Sequence, residues 1–212
     1  MKSLNPLLNR GTLIVIGYAL ITALILWLTP VERTLGHLIK YVFFHLSLSF
    51  ASLYGFFLSA ILGVIYLITI WRKQERQVVG IYSKEFGRIS LVVWAVSVIV
   101  SIFAMELAWG EISFTEPLTI FVIVTLALGI GKELIVSDKN YTWIASANIL
   151  FAIAISVARP NIDKVMHPED PIGTSDISAY KIMSTSLTIV TFVALVLFVV
   201  WYVGHKRKAH LL

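Results

Sequence analysis

Two histidines are the residues of this chain whose chemistry best suits ligand binding. His45 lies inside the apolar run YVFFHLSLSF. Ionisable side chains within a membrane span are costly, and they mark functional sites by default. Neutral imidazole is a common transition-metal ligand and the usual axial ligand of haem. A neutral histidine that only hydrogen-bonds to a neighbouring helix fits the position of His45 equally well.

The second histidine, His167, lies in the polar segment HPEDP. Taken alone, His167 is most simply a solvated surface residue. As a pair, two neutral imidazoles on opposite faces of an iron porphyrin would complete the coordination of the iron. This hypothesis requires both histidines to lie at the same face of a membrane, which depends on how the chain crosses it.

Composition predicts that lipid surrounds much of this chain. Of the 212 residues, 58% are hydrophobic and 14% are charged, with a mean hydropathy of +0.87, whereas soluble domains are about a quarter charged. The apolar residues form continuous runs, which indicate helices and not the alternating pattern of a β-barrel. We therefore predict an all-α, polytopic integral membrane protein, a single membrane domain over residues 1–212, with transmembrane helices at 11–29, 42–70, 89–109, 117–131, 141–158 and 181–203.

The basic residues predict the orientation of these six spans. Most of the 17 Lys and Arg residues fall in segments on one side of the predicted membrane, and five fall on the other side: Arg33, Lys40, Arg159, Lys164 and Lys181. Cytoplasmic segments carry the excess of Lys and Arg, so both termini and a basic loop at 72–88 are predicted to be cytoplasmic. The outer loops are then 30–41, 110–116 and 159–180. The net charge of +5 is a consequence of topology, and we exclude nucleic-acid binding.

This topology places further candidate residues beside the two histidines. The aromatic residues Trp109, just before the loop 110–116, and Phe114, within it, would surround a porphyrin ring. Arg159 ends the fifth span, where its side chain either reaches the interface alone or pairs with a carboxylate such as a porphyrin propionate. The chain has no cysteine, which excludes disulfides, thiolate metal sites and covalent attachment of haem through this chain's own thiols.

Together these residues resemble the CcmC-type haem-handling proteins of cytochrome c maturation (the CcmC/CcsA family), from the second span to the C-terminus. That family has a histidine early in its second span, a tryptophan-rich loop WGxxWxWD after its third, and a second histidine between its fifth and sixth. Here YVFFH matches the first histidine segment, Trp109-Gly110 matches the start of the loop motif, and His167 matches the second histidine. Glu116 stands at the place of the aspartate, while Ser113 and Thr115 replace two tryptophans.

The resemblance implies a function and a set of site residues. His45 and His167 would be the axial ligands of the iron. The loop from Trp109 to Glu116, including Gly110 and Phe114, would hold the porphyrin edge. The pigment would be haem b, and the partners would be an ATP-driven exporter and a membrane-anchored haem chaperone. The location would be the inner or plasma membrane of a prokaryote, as a multi-pass protein in contact with membrane lipid.

Two other kinds of protein fit the same sequence. One is a permease-like subunit of a membrane exporter, for which Gly129, Gly131 and Asn148 are the candidate residues near the middle of the spans. The other is a haem-free assembly or structural subunit of a respiratory membrane complex. An enzyme is not expected, because the sequence contains no P-loop, HExxH motif or nucleophile elbow.

Overall fold

The computed structural model describes residues 6–33, 35–74, 76–159 and 177–208 of the chain. These residues form six α-helices, each long and apolar enough to cross a membrane. This confirms the all-helical fold with six candidate spans and indicates a multi-pass membrane protein. The helices are α1 Pro6–Leu28, α2 Ile39–Trp71, α3 Gln77–Trp109, α4 Pro117–Val136, α5 Tyr141–Ala158 and α6 Ser178–Lys208.

The third helix begins well before the span predicted from sequence. It starts at Gln77 and not near residue 89, so the prediction of a basic loop over 72–88 is wrong, and the connection between α2 and α3 covers only residues 72–76. The charges of Glu85 and Arg88 interrupt the apolar run, but both side chains find ion-pair partners on other helices. Helix α3 therefore continues through these two charged residues, whose side chains are satisfied by other helices of the protein.

The helices form a bundle in which successive helices run in opposite directions, with α2 at its centre. Helix α2 packs against α3, α5 and α6, while α1 packs against α6, and α4 packs against α3 and α5. One end of the bundle, here called the His45 end, contains the C-termini of α1, α3 and α5 and the N-termini of α2, α4 and α6. At this end the hydroxyl of Tyr180 donates to the carbonyl of Val31 at 3.1 Å, and its ring contacts Phe43 edge-on. The opposite end is called the Lys206 end.

Exposed aromatic residues mark two levels along the bundle. Tyr41 and Trp27 lie near the His45 end, whereas Trp71 and Trp143 lie near the Lys206 end, and all four are at least half exposed. Tryptophan and tyrosine concentrate where a membrane meets water. Tyr41 and Trp71 are separated by about 45 Å of α2 at 1.5 Å per residue, which matches the roughly 40–45 Å of a bilayer with its headgroups.

Small residues allow α2 and α3 to approach closely. The serine seam consists of buried serines spaced seven residues apart on each helix, namely Ser52 and Ser59 on α2 and Ser83, Ser90 and Ser97 on α3. The hydroxyl of Ser59 donates to the carbonyl of Ser83, and the hydroxyl of Ser83 donates to the carbonyl of Ser59, both at 2.8 Å. Small residues at helix interfaces let two backbones pack against each other in a membrane.

One glycine of α2 makes room for a serine of this seam. A Cβ atom added to Gly55 would overlap the side chain of Ser90, whereas a Cβ added to Gly131 on α4 would meet nothing within 4 Å. The two glycines are both helical, so their intrinsic helix propensities are alike. Only the contact across the seam distinguishes them.

We predict that Gly55→Val destabilises the protein, since the added side chain would force the two helices apart. Overpacking of this kind costs about 1–3 kcal/mol. Thermal unfolding in detergent, followed by size-exclusion chromatography, should show a lower midpoint for Gly55→Val. Gly131→Val is the control and should leave the midpoint close to that of the parent protein. Equal midpoints for the two variants would contradict the packing described for the seam.

Candidate functional site

His45 lies in the first part of α2, close to one end of the bundle. It is four residues beyond the exposed Tyr41, so its Cα lies about 6 Å deeper along the helix axis. The side chain is half-buried between α2 and α3.

The ring of His45 is held by two serines. Its Nδ1 atom lies 3.3 Å from the hydroxyl of Ser97 on α3 and 3.5 Å from the hydroxyl of Ser49, one turn further along α2. The two hydroxyls are themselves 2.6 Å apart, and Ser97 donates to the backbone carbonyl of His45 at 3.1 Å. Within the described part of the chain, the other ring nitrogen, Nε2, has no hydrogen-bond partner.

The loop 110–116 lies at the same end of the bundle. Trp109 is the last residue of α3, and Gly110 follows it in the left-handed conformation with φ of 75°, where its N–H donates to the carbonyl of Glu106. A left-handed residue of this kind commonly ends a helix and is usually glycine. Gly110 therefore has a clear structural role in turning the chain, while the side chain of Trp109 lies outside what the structure describes.

The two remaining candidates of this loop differ in exposure. Phe114 is 59% exposed and Glu116 is 2% exposed. Glu116 precedes the first residue of α4, Pro117, and accepts a hydrogen bond from the hydroxyl of Thr119 at 3.1 Å. A carboxylate is favourable at a helix N-terminus because of the helix dipole. Phe114 thus presents an aromatic ring at the surface, whereas the side chain of Glu116 is buried at the start of α4.

Arg159 lies at the same end and leans over α2. It follows the last residue of α5, and its guanidinium carbon lies 5.4 Å from the centre of the Phe50 ring. Phe50 is five residues beyond His45 on α2, about 7.5 Å along the axis. The structure therefore brings Arg159 to the same helix as His45, with its side chain exposed.

The second histidine that the sequence analysis proposes as a haem ligand is His167. His167 lies in residues 160–176, outside the described residues, so the pairing of His45 with His167 stays a prediction. Among the described residues, no group of three or more His, Cys, Asp or Glu side chains lies close enough to hold a metal ion. The described side chains near His45 therefore do not form a metal site by themselves.

Sequence reasoning missed an ion pair towards the Lys206 end. The carboxylate of Glu85 on α3 lies 3.5 Å from the ammonium of Lys206 on α6, and the Glu85 side chain is only 3% exposed. The same ammonium also lies 4.6 Å from the centre of the Tyr202 ring. Glu85 is not identified as a candidate in the sequence analysis, because a loop is predicted there for residues 72–88. Recognising the helical start of α3 would have marked it as a charged residue within a span.

A second polar network at the Lys206 end connects three helices. Lys132 on α4 donates to the side-chain oxygen of Asn148 on α5 at 2.6 Å, and its ammonium lies 2.8 Å from the carboxylate of Glu133. The amide nitrogen of Asn148 in turn donates to the carbonyl and hydroxyl of Ser83 on α3 at 3.1 and 3.2 Å. Asn148, proposed above as a permease residue, thus uses its amide to connect helices.

No family model, curated protein or solved structure matches this chain.

We predict that Lys206→Met destabilises the bundle, because it leaves the buried carboxylate of Glu85 without its cation. Breaking a buried ion pair by removing one partner costs about 3–5 kcal/mol. We expect the lower end of that range, since Lys206 is partly exposed. Thermal unfolding in detergent would measure the loss.

The neighbouring Arg207, which is exposed, provides the control for this measurement. Arg207→Met should leave the unfolding midpoint nearly unchanged. The double variant Glu85→Gln/Lys206→Met should recover part of the stability, since it removes both charges together. A Lys206→Met protein as stable as the parent would show that the ion pair contributes nothing.

Proposed function

We propose that this protein binds haem at the His45 end of the bundle and delivers it for cytochrome c assembly. The observation that carries the proposal is the environment of His45: a half-buried imidazole whose Nδ1 contacts two serines and whose Nε2 has no partner among the described residues. Histidine ligands of metals commonly use one ring nitrogen for the metal, while the other hydrogen-bonds to the protein. His45 fits that arrangement.

Several residues at the His45 end of the bundle have the chemistry to contact a porphyrin. An exposed guanidinium at Arg159 suits a propionate carboxylate, because its planar donors match the two carboxylate oxygens. An exposed ring at Phe114 and the backbone turn at Gly110 would contact the porphyrin edge, together with Trp109 and Glu116. His167 is proposed as the second residue that would hold the iron.

The proposed role is binding and transfer, without catalysis by this chain. If haem binds, the imidazoles of His45 and His167 would hold its iron. The chain itself would hold the iron through His45, orient the propionates through Arg159 and keep the ring at the membrane surface for release. An ATP-driven exporter and a haem chaperone are proposed as partners on the family resemblance, and the inner or plasma membrane of a prokaryote is the proposed location.

The permease alternative receives less support from the contacts of its candidate residues. Asn148 is hydrogen-bonded to Ser83 and Lys132, and a Cβ added to Gly129 would meet Leu91 and Phe151. These residues hold helices together. A transport path requires polar groups that a solute can reach. A haem-free subunit of a respiratory complex is the remaining alternative, and it differs from our proposal in having no bound pigment.

The proposed orientation places the His45 end outside the cytoplasm. It rests on the positive-inside rule, since most Lys and Arg residues lie in segments at the Lys206 end. Both termini would then be cytoplasmic. A haem carrier for cytochrome c assembly needs its site on the outer side, where the receiving proteins mature.

Single cysteines can test this orientation, because the chain contains none of its own. We expect a membrane-impermeant maleimide to label Glu111→Cys in intact cells and to label Asp138→Cys only after permeabilisation. Both positions are exposed and lie in connections at opposite ends of the bundle. Labelling both variants in detergent controls for reactivity. The reverse pattern in intact cells would overturn the proposed orientation.

Absorption spectroscopy tests haem binding itself. We expect the purified protein to show a Soret band, with haem b identified after pyridine extraction, and the double variant His45→Ala/His167→Ala to lose this band. His205→Ala is the matched control, because His205 lies near the Lys206 end of α6, and it should retain the band. Full haem occupancy in the double variant, or no haem in the parent protein after incubation with haem, would refute the proposal.

A further inference from the structure

We infer that Ser97 and Ser49 are positioning residues that fix the proton of His45 on Nδ1 and leave the lone pair of Nε2 for a ligand. The inference deepens the proposed function and rests on it wherever haem is mentioned. Its first part concerns the ligand-free protein and can be tested without haem. It follows from counting the donors and acceptors in one small cluster.

The cluster formed by His45, Ser49 and Ser97 has four polar contacts. The protons available for them are one on each serine hydroxyl and one on the imidazole ring. Ser97 has a single hydroxyl proton, which is directed to the backbone carbonyl of His45 at 3.1 Å. Ser97 must therefore accept in its contacts with Ser49 at 2.6 Å and with Nδ1 of His45 at 3.3 Å. The proton of Ser49 satisfies the first of these contacts, so Nδ1 must carry the proton for the second.

The longest contact of the cluster, between Ser49 and Nδ1 of His45, is consistent with a proton on Nδ1. The Nδ1 proton can be shared between Ser97 at 3.3 Å and Ser49 at 3.5 Å, because both oxygens retain a lone pair. With the proton on Nε2 instead, Nδ1 could only accept. Ser97 would then have no proton left for Nδ1, and at least one of the four contacts would be lost. Placing the proton on Nδ1 satisfies all four.

The same contacts restrict how the imidazole ring can turn. Ser97 is 1% exposed and lies in the serine seam, so its hydroxyl is fixed by the packing of α3 against α2. Ser49 approaches Nδ1 from the next turn of α2. A ring that pivots away from these hydroxyls loses both contacts. The serines thus set the direction of Nε2 as well as its protonation, as partners of metal-binding histidines do.

The chemical nature of the group that accepts from Nδ1 also affects the basicity of His45 as a metal ligand. A carboxylate that accepts from the non-ligating nitrogen raises the basicity of a histidine ligand, whereas a neutral serine hydroxyl polarises the ring less. Among the described residues, no carboxylate contacts the ring of His45. His45 would thus be a neutral, moderate donor to iron, which suits a site that must later release its haem.

Nitrogen-15 NMR of histidine-labelled, haem-free protein tests the tautomer directly. The signals of His45 are assigned by their disappearance in His45→Gln. We expect the parent protein to show a protonated Nδ1 and an unprotonated Nε2. We expect Ser49→Ala/Ser97→Ala to lose that preference, because no hydroxyl then accepts from Nδ1. Ser101→Ala is the control, since Ser101 donates to Val98 within its own helix, and it should resemble the parent.

Two results would overturn the inference. One is a parent protein with the proton on Nε2, and the other is a double serine variant with the parent's tautomer. Either result would leave the haem proposal untouched if the Soret band depends on His45. Conversely, the expected tautomer in a protein that binds no haem would support the role of the serines and refute the proposed function.

Haem affinity gives a second measurement of the same role. Removing the hydrogen-bond partner of a metal-binding histidine typically weakens the metal site about 10–100-fold. We expect Ser97→Ala to raise the dissociation constant for haem within that range and Ser49→Ala to raise it less, because its contact with Nδ1 is longer. Ser101→Ala should leave it unchanged. Equal affinity in Ser97→Ala and Ser101→Ala would contradict the proposed role.

Discussion

The close packing of α2 against α3 is the constraint on which the rest of this structure depends. Serines repeat at seven-residue intervals along both helices, and Ser59 and Ser83 exchange hydrogen bonds between side chain and backbone. These contacts fix the two helices relative to each other along the bundle axis. A shift by one turn would break them and would also separate Ser97 from His45. The position of Ser97 relative to His45 therefore depends on the packing of α2 against α3 further along the bundle.

The two ends of the bundle are stabilised by different interactions. At the Lys206 end, charged and amide side chains connect four helices through Glu85, Lys206, Lys132 and Asn148. At the His45 end, hydroxyls, backbone carbonyls and the ring of His45 make hydrogen bonds, the carboxylate of Glu116 accepts from Thr119, and the Arg159 guanidinium lies over the Phe50 ring. Ion pairs buried between helices strongly resist separation, because a lone charge in an apolar interior is costly. These contacts hold the helices together at the end of the bundle opposite the proposed site.

Part of this architecture could be predicted from the sequence. The six helices follow from the apolar runs, and their order along the chain is as expected. The start of α3 was missed, because Glu85 and Arg88 appear as loop residues when only apolar length is considered. Their partners, Lys206 and Glu133, are far along the chain. Charge pairing between distant segments leaves no periodic signal, so sequence patterns alone could not identify it.

The sequence by itself determined which residues must avoid water and which imidazole is embedded among apolar residues, because hydrophobicity is a local property of the chain. His45 could be selected on that basis, but a ligand and a simple hydrogen-bonding histidine remained equally compatible with it. Only the tertiary structure decided that Ser97, 52 residues away, contacts Nδ1 and that Arg159 lies over Phe50 on the same helix. Such contacts depend on the register between helices, which is set by side-chain packing across interfaces and not by the order of residues along the chain.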